Sequence, residues 1–333
     1  MHPLLRHGLM QLLVAAMSIM AATPAAAIEL PPGFSEEEVG SLWTEPVGLV
    51  FDPSPAGANR IYAWERAGRA WVLENGTNSF VPLLDIRDEV GAWRDYGMLG
   101  FALDPNFQQN GYIYVSYVVD RHHLMHAGKP SYDPTANDYL SATIGRVTRY
   151  TARASDGRRT VDPASRKVLI GETISTGIPI LHGSHGPGNL MFGTDGTLLV
   201  AVGDAASWEG VDDGGSDGGS YAPQGLIDGI IQPKEDVGAF RSQMVDSLSG
   251  KVLRLDPATG DGVASNPFFD PQAPRAAKSR VWALGLRNPY RMTLRPSTGS
   301  HLPAEANPGV IVLGDVGWEE WEEVHVIDGP GQN

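Results

Sequence analysis

One short pattern recurs four times along this chain: an apolar stretch, a turn, and a second β-rich run. The copies are Gly48-Leu49-Val50-Phe51-Asp52-Pro53, Gly100-Phe101-Ala102-Leu103-Asp104-Pro105, Asn189-Leu190-Met191-Phe192-Gly193-Thr194-Asp195 and Arg291-Met292-Thr293-Leu294-Arg295-Pro296. They lead into Arg60-Ile61-Tyr62-Ala63, Gly111-Tyr112-Ile113-Tyr114-Val115, Leu198-Leu199-Val200-Ala201 and Val310-Ile311-Val312-Leu313. A unit of this size cannot bury its own apolar face, so repeated units must stack on one another. Each copy reads as the central hairpin of one sheet. The spacing between copies is uneven, which radially arranged blades accommodate because inserted residues leave at the rim. An all-β propeller is the predicted architecture, and a decorated β-sandwich is the competing one. Punctuation by 40 glycines and 25 prolines fits many strands joined by turns rather than helices. Residues 61–64, Arg66-Ala67-Gly68, residues 70–73 and Asn75-Gly76 read as consecutive hairpins, the last with a dipeptide suited to a φ > 0 turn.

The 333 residues suffice for one large β domain or two ordinary ones. A net charge of −14 opposes a phosphate backbone, and no Lys/Arg-rich run reverses it locally, so nucleic acid is excluded as a partner. With no cysteine, disulfides and covalent haem attachment are both ruled out within the chain. Arg6 and His7, the apolar residues 9–22 and Thr23-Pro24-Ala25-Ala26-Ala27 read as a secretory signal peptide cut after Ala27. That apolar stretch is short for a spanning helix and holds Gln11, so a periplasmic or secreted protein without stable membrane insertion is expected. Residues 28–333 are then a single propeller domain.

Asp195 and Asp204 bracket the run Leu198-Leu199-Val200-Ala201-Val202-Gly203, which reads as a strand buried on both faces. His185 stands ahead of it in His182-Gly183-Ser184-His185-Gly186-Pro187-Gly188. A carboxylate at the strand's end and a histidine on the preceding loop can meet at one rigid mouth. Imidazole is the usual base for a hydroxyl proton near neutral pH, and a carboxylate that fixes its tautomer is the usual partner. Two segments stand apart. Residues 209–236, rich in aspartate and glycine, hold too little apolar content to pack and are expected to lie over one face. His122-His123-Leu124-Met125-His126 has metal-ligating residues but no carboxylate at ligand spacing, so a solvated loop is expected there.

From about Thr44 onward the chain resembles the soluble glucose/sorbosone (aldose sugar) dehydrogenases that use pyrroloquinoline quinone (PQQ). The resemblance rests on residues 96–107, on His185 through Asp195-Gly196 to Gly203-Asp204, and on Ser249-Gly250-Lys251-Val252-Leu253-Arg254-Leu255-Asp256. It continues through Asn266-Pro267-Phe268, Trp282-Ala283-Leu284-Gly285-Leu286-Arg287-Asn288-Pro289, Gly314-Asp315-Val316-Gly317-Trp318 and Trp321-Glu322-Glu323-Val324. Each piece is weak alone; together, in the family's order, they are specific. The resemblance implies a six-bladed β-propeller with the quinone across its top face, of which this chain holds about four blades. It implies that His185 is the catalytic base and Asp204 the carboxylate that orients it. Arg287 and Asn288 match a pair beside the quinone's reactive carbonyl, although by itself Arg287 reads as a salt bridge closing a turn. Asp95 falls on a substrate-contacting position held by glutamine in the best-known glucose enzymes, and otherwise reads as an exposed turn acid. Gly317 and Trp318, through backbone carbonyls, and Glu323, through its carboxylate, match a segment that holds Ca²⁺. The sequence ends where relatives continue into blades that carry the cations for the quinone carboxylates. The implied activity is oxidation of an aldose or related alcohol at a CH–OH group, with electrons passed to an external acceptor. A non-catalytic propeller that binds a partner, and a calcium-dependent lactonase-like hydrolase, are the alternatives.

Overall fold

The computed structural model describes residues 30–36, 39, 43–52, 60–74 and 79–333. The signal peptide and the Asn75-Gly76 turn lie outside the described residues. Contacts divide the chain into a segment up to Ser41 and a body from Leu42 to Asn333. In the first, Phe34 N donates to Pro31 O at 3.1 Å. Among the described residues no helix is long and apolar enough to cross a membrane.

The body is an all-β arrangement of four propeller blades. Blade 1 contains β1 (Pro46–Phe51), β2 (Arg60–Glu65), β3 (Arg69–Glu74) and β4 (Phe80–Asp85), and blade 2 contains β5 (Met98–Leu103), β6 (Tyr112–Val118), β7 (Thr143–Ala152) and β8 (Val161–Ile170). A short β9 (Ile178–Ile180) adds to β7. Blade 3 contains β10 (Pro187–Phe192), β11 (Leu198–Val202), β12 (Lys251–Leu255) and β13 (Val281–Ala283), and blade 4 contains β14 (Pro289–Leu294), β15 (Ile311–Asp315) and β16 (Glu323–Ile327). Within each blade, successive strands pair antiparallel. The described residues form four blades, the number expected of this chain.

The repeat seen in the sequence supplies the first two strands of every blade: β1/β2, β5/β6, β10/β11 and β14/β15. These are the start of each sheet rather than its centre. The first strands of successive blades neighbour one another, so in the middle blades their apolar runs are covered on both faces. All five residues of β11 are 0% exposed.

Three apolar layers lie between adjacent blades. Tyr62, Val72, Phe101 and Val115 fill the first; Tyr114, Leu190, Val200 and Leu253 the second; Leu199, Val252, Met292 and Leu313 the third. Each fully buried side chain of this size contributes about 1.5–3 kcal/mol. At the two ends of the series the pattern changes. Leu49 and Phe51 of β1 are 56% and 62% exposed, and Val324 and Val326 of β16 are 73% and 58% exposed.

Asp195 turns out to serve the scaffold. Its carboxylate meets the Arg254 guanidinium at 2.6 Å with both side chains 0% exposed, and that guanidinium also lies over the Trp282 ring. The aspartate/glycine-rich segment is more ordered than its composition implies. It carries a helix, Ala222–Asp228, and places Ala222, Ile230 and Ile231 in the core. The histidine tract is a short helix, Arg121–His126, not a loop. His122 stacks on both His126 and Tyr132, and His123 meets the same Tyr132 edge-on with its Nδ1 2.8 Å from Tyr132 Oη.

Candidate active site at the funnel mouth

Each blade delivers side chains to a common mouth from the residues just ahead of its first strand. Glu45 precedes β1, Asp95 precedes β5, His185 precedes β10, and Arg287 and Asn288 precede β14. The open ends of the inner hairpins add the residues that follow the second strands, Asp204 after β11 and Asp315 at the end of β15. The repeat that builds the fold therefore also gathers the site.

In blade 3, Pro187 pairs with Val202, so the segments around His185 and Asp204 leave the sheet side by side. Gly203 N donates to Gly186 O at 2.9 Å and Ala205 N to His185 O at 3.1 Å. Glycine is needed at 203, because a Cβ there would stand 2.5 Å from the backbone carbon and oxygen of His185. His185 (φ 66°) and Ala205 (φ 59°) both adopt the left-handed conformation, which costs a non-glycine residue about 1 kcal/mol or more. The cost is met by the surrounding bonds. Tyr96 Oη donates to His182 O at 2.7 Å and also contacts Ser184 O, holding the loop from below. Full burial pushes the Tyr96 phenol well above its ordinary range, so it remains a neutral donor.

The outcome is a buried pair. His185 Nδ1 lies 2.8 Å from Asp204 Oδ1, and each residue is 3% exposed. Asp204 Oδ1 also accepts from Ala206 N at 2.8 Å, which fixes the carboxylate. With Nδ1 committed to the carboxylate, Nε2 is the nitrogen left for a ligand. Neighbouring His182 is 4% exposed and lies 3.4 Å, through Nε2, from Ser207 Oγ; burial lowers its pKa.

Blade 4 is locked to this pair, since Asp204 N donates to Arg287 O at 2.8 Å. Arg287 forms no salt bridge among the described residues; its Nη1 donates to Val316 O at 2.7 Å and Gly317 O at 2.9 Å. The Asp315 carboxylate accepts from Arg287 N at 2.9 Å and Asn288 N at 2.5 Å, and burial raises its pKa.

Three adjoining cavities share His185 as a wall. The largest, about 580 Å³, is lined by Glu45, Arg66, Asp95, His185, Asn288 and Arg291 among others. A second of about 310 Å³ brings Arg287, Trp208 and Trp318 beside Arg94, Asp95 and His185, and a third of about 390 Å³ reaches Asp204. Trp318 Nε1 donates to Trp208 O at 3.0 Å, joining the rims of blades 3 and 4. The structure thus brings together His185, Asp204, Arg287, Asn288 and Asp95. The three residues matched to Ca²⁺ are less closely grouped by their contacts. Gly317 O accepts from Arg287, Trp318 is half exposed at the rim, and Glu323 clusters with Asp315 and His325, its Oε2 3.2 Å from His325 Nε2.

Sequence reading passed over three further residues. Arg94 lines two of the cavities from a left-handed backbone (φ 49°). Arg241 is 0% exposed, and its guanidinium donates to Asp204 O at 3.2 Å and Ala205 O at 3.0 Å. Lys251 Nζ donates to the carbonyls of Arg241, Ser242 and Ser249, and burial pulls its pKa down to about 7. Lys251 sits in a motif quoted above, but nothing in a linear pattern marks a lysine as buried. Arg241 and Arg94 carry no local signal at all.

Comparison with known proteins gives this geometry a context. The profile of the glucose/sorbosone dehydrogenase family matches residues 44–309. The HIPL1 protein of Arabidopsis thaliana is 25% identical over 336 residues, covering 90% of this chain and 42% of its own length. Human Hedgehog-interacting protein is 28% identical over 271 residues, 78% of this chain and 31% of that protein. The chain thus spans less than half the length of these relatives. The PQQ-bound aldose sugar dehydrogenase of Streptomyces coelicolor shares the fold with a TM-score of 0.56 at 20% identity, covering 89% of this chain and 64% of that one.

Proposed function

This chain belongs to the glucose/sorbosone dehydrogenase family, and from that premise we propose that it is an exported quinoprotein oxidoreductase. Its substrate is an aldose or related alcohol oxidised at a CH–OH group, and an external acceptor takes the electrons. The observation that carries the reading is the buried His185–Asp204 pair, 2.8 Å apart, with its free imidazole nitrogen at a cavity wall.

The residues present suit the quinone by their chemistry. PQQ is a flat tricarboxylate, and the cavities are walled by Arg94, Arg287 and Arg291 together with the Asn288 amide. When bound, the quinone would supply the two-electron acceptor for hydride from the carbon that bears the hydroxyl. His185 takes the hydroxyl proton at Nε2. Asp204, held on Nδ1–H, keeps Nε2 unprotonated beforehand and stabilises the imidazolium afterwards. Arg287 and Asn288 would hold the quinone, the guanidinium offsetting negative charge that develops on an oxygen beside it. Asp95, at the same mouth, is placed to accept from sugar hydroxyls. For Ca²⁺, the carbonyls of Gly317 and Trp318 and the Glu323 carboxylate are oxygens of the kind that cation takes, and they would hold it once Gly317 O gives up its bond from Arg287 Nη1.

A six-bladed ring for the whole protein, with residues 28–333 as its propeller part behind a signal peptide at 1–27, belongs to the same proposal. It is supported by the exposed apolar faces of β1 and β16, where a closed ring would seat further blades. The test is sugar-dependent dye reduction after loading with PQQ and Ca²⁺. Activity should appear, and His185→Ala should abolish it with the circular dichroism spectrum unchanged. Retained turnover in that variant overturns the assignment.

A second reading, a propeller that binds a partner without chemistry, is favoured by similarity to Hedgehog-interacting protein. Quinone titration separates the two, since a pure binding module gives no saturable PQQ-dependent absorbance change.

A further inference from the structure

Arg241 is fully buried, and its bonds go to backbone rather than to an acid. Nε donates to Asp204 O at 3.2 Å, Nη2 to Ala205 O at 3.0 Å and Nη1 to Glu235 O at 3.1 Å. Asp212, Asp204, Glu235 and Asp236 supply negative charge around it, none of them as a salt bridge among the described residues. Arg254, likewise 0% exposed, is instead neutralised directly by Asp195. A buried cation without a paired carboxylate is costly, and the rigid fork of guanidinium donors offsets that cost where several carbonyls converge.

Two of those carbonyls belong to the turn that carries the orienting carboxylate. Ala205 is left-handed (φ 59°) and directly follows Asp204, and among the described residues neither carbonyl has another donor. The N–H groups of the same turn are already engaged, Asp204 N with Arg287 O and Ala205 N with His185 O. Arg241 holds the remaining side, and so helps to set where Asp204 Oδ1 stands relative to His185 Nδ1, 2.8 Å away. Arg241 is itself seated from two directions. Lys251, which opens β12 and pairs with Val202 at the end of β11, donates through Nζ to Arg241 O at 3.1 Å and Ser242 O at 2.8 Å. Ala239 N, in the 3₁₀ helix Gly238–Gln243 that bears Arg241, donates to Asp212 O at 3.0 Å, and Asp212 Oδ2 accepts from Ser207 N, just beyond the turn, at 2.9 Å. The long connection between β11 and β12 thus returns to grip the turn from which it departs.

We infer that Arg241 is a positioning residue for the His185–Asp204 pair: it holds the Asp204–Ala205 turn in its left-handed form, so that the carboxylate meets Nδ1 and leaves Nε2 for the ligand. The inference rests on the proposed function in taking that pair as the working base, but its first readout needs no turnover. Without the guanidinium two buried carbonyls lose their donor, and the turn relaxes toward an ordinary backbone conformation that carries Oδ1 away from the ring.

The test compares wild type, Arg241→Gln, Arg241→Lys and Asp195→Asn, each as the whole chain. Asp195→Asn is the control, since it strands Arg254 and lowers stability from the opposite end of β11 without touching the turn. Nitrogen-15 spectra of labelled histidine, at a pH where the ring is neutral, read the His185 tautomer; dye-linked sugar oxidation after loading with PQQ and Ca²⁺ gives kcat and KM. In Arg241→Gln the His185 signal should change from hydrogen on Nδ1 to a mixture of tautomers, and kcat should fall about 10–100-fold with KM changed less than about threefold. Arg241→Lys, whose ammonium keeps the charge but not the fork, should lie between wild type and glutamine in both readouts. Asp195→Asn should match wild type in both while it remains folded. A folded Arg241→Gln protein with hydrogen still on Nδ1 and kcat within about threefold of wild type overturns the inference. A tautomer shift of equal size in Asp195→Asn also overturns it, because lost stability alone then explains the effect. Should Arg241→Gln fail to fold, Arg241→Lys decides, a wild-type tautomer and kcat there overturning the inference. Absence of turnover in the loaded wild type, with the tautomer shift present in Arg241→Gln, keeps the positioning role and removes the dehydrogenase reading.

Discussion

Replacing Asp204 by asparagine keeps the shape of the buried pair and removes its charge. In the native protein Oδ1 accepts both from His185 Nδ1–H and from Ala206 N, each at 2.8 Å. If the asparagine NH₂ takes the Oδ1 position, it loses the bond from Ala206 N, faces Nδ1 and favours the tautomer that carries hydrogen on Nε2, which has no lone pair to offer the substrate. If the amide oxygen takes it, both bonds are kept but an imidazolium formed during turnover lacks its counter-charge. At about 4 Å and an effective dielectric constant near 20, that counter-charge is worth about 4 kcal/mol. Converted at about 1.4 kcal/mol per decade, kcat should fall roughly 10³-fold. KM should change little, since the carboxylate is 3% exposed and lies behind the ring. The assay is dye-linked sugar oxidation by the quinone-loaded protein, with circular dichroism to establish folding. Nitrogen-15 spectra of labelled histidine provide a reading of the His185 tautomer that does not depend on turnover. A folded variant that retains activity within tenfold and keeps hydrogen on Nδ1 would refute the orienting role.

The buried Asp195–Arg254 pair gives a test of the scaffold. Asp195→Asn strands a guanidinium that is 0% exposed and should cost about 3–5 kcal/mol in urea unfolding; a loss under about 1 kcal/mol would mean that Thr197, Ser265 and Asn266 satisfy Arg254 unaided. Lys251 gives a pH test. Its native pKa of about 7 lies below the unfolded value of about 10.4, so between those values the unfolded chain binds more protons and stability rises with pH. Relative to Lys251→Met, the wild-type unfolding free energy should therefore increase by about 4 kcal/mol from pH 7 to pH 10.5, and a flat difference would show that the ammonium titrates normally.

Much of the molecule was legible in the linear sequence because blade stacking imposes a repeat. The four apolar turn motifs marked where each blade begins, and the same positions carried Asp95, His185 and Arg287 to the mouth. A strand reading Leu-Leu-Val-Ala-Val had to be covered on both faces, and it is. Tertiary structure decided what each polar group does, since burial and partners come from residues remote in sequence. It separated two aspartates that flank the same strand, giving Asp195 to Arg254 and Asp204 to His185. It turned an aspartate-rich stretch into a folded segment because Ile230 and Ile231 reach the core. It also brought Arg94 of blade 2 beside Arg291 in one cavity and beside Arg287 in the adjoining one, in a strongly acidic chain. Periodicity survives in a sequence because it is local, whereas the field inside a funnel is a sum over blades and exists only once they are stacked.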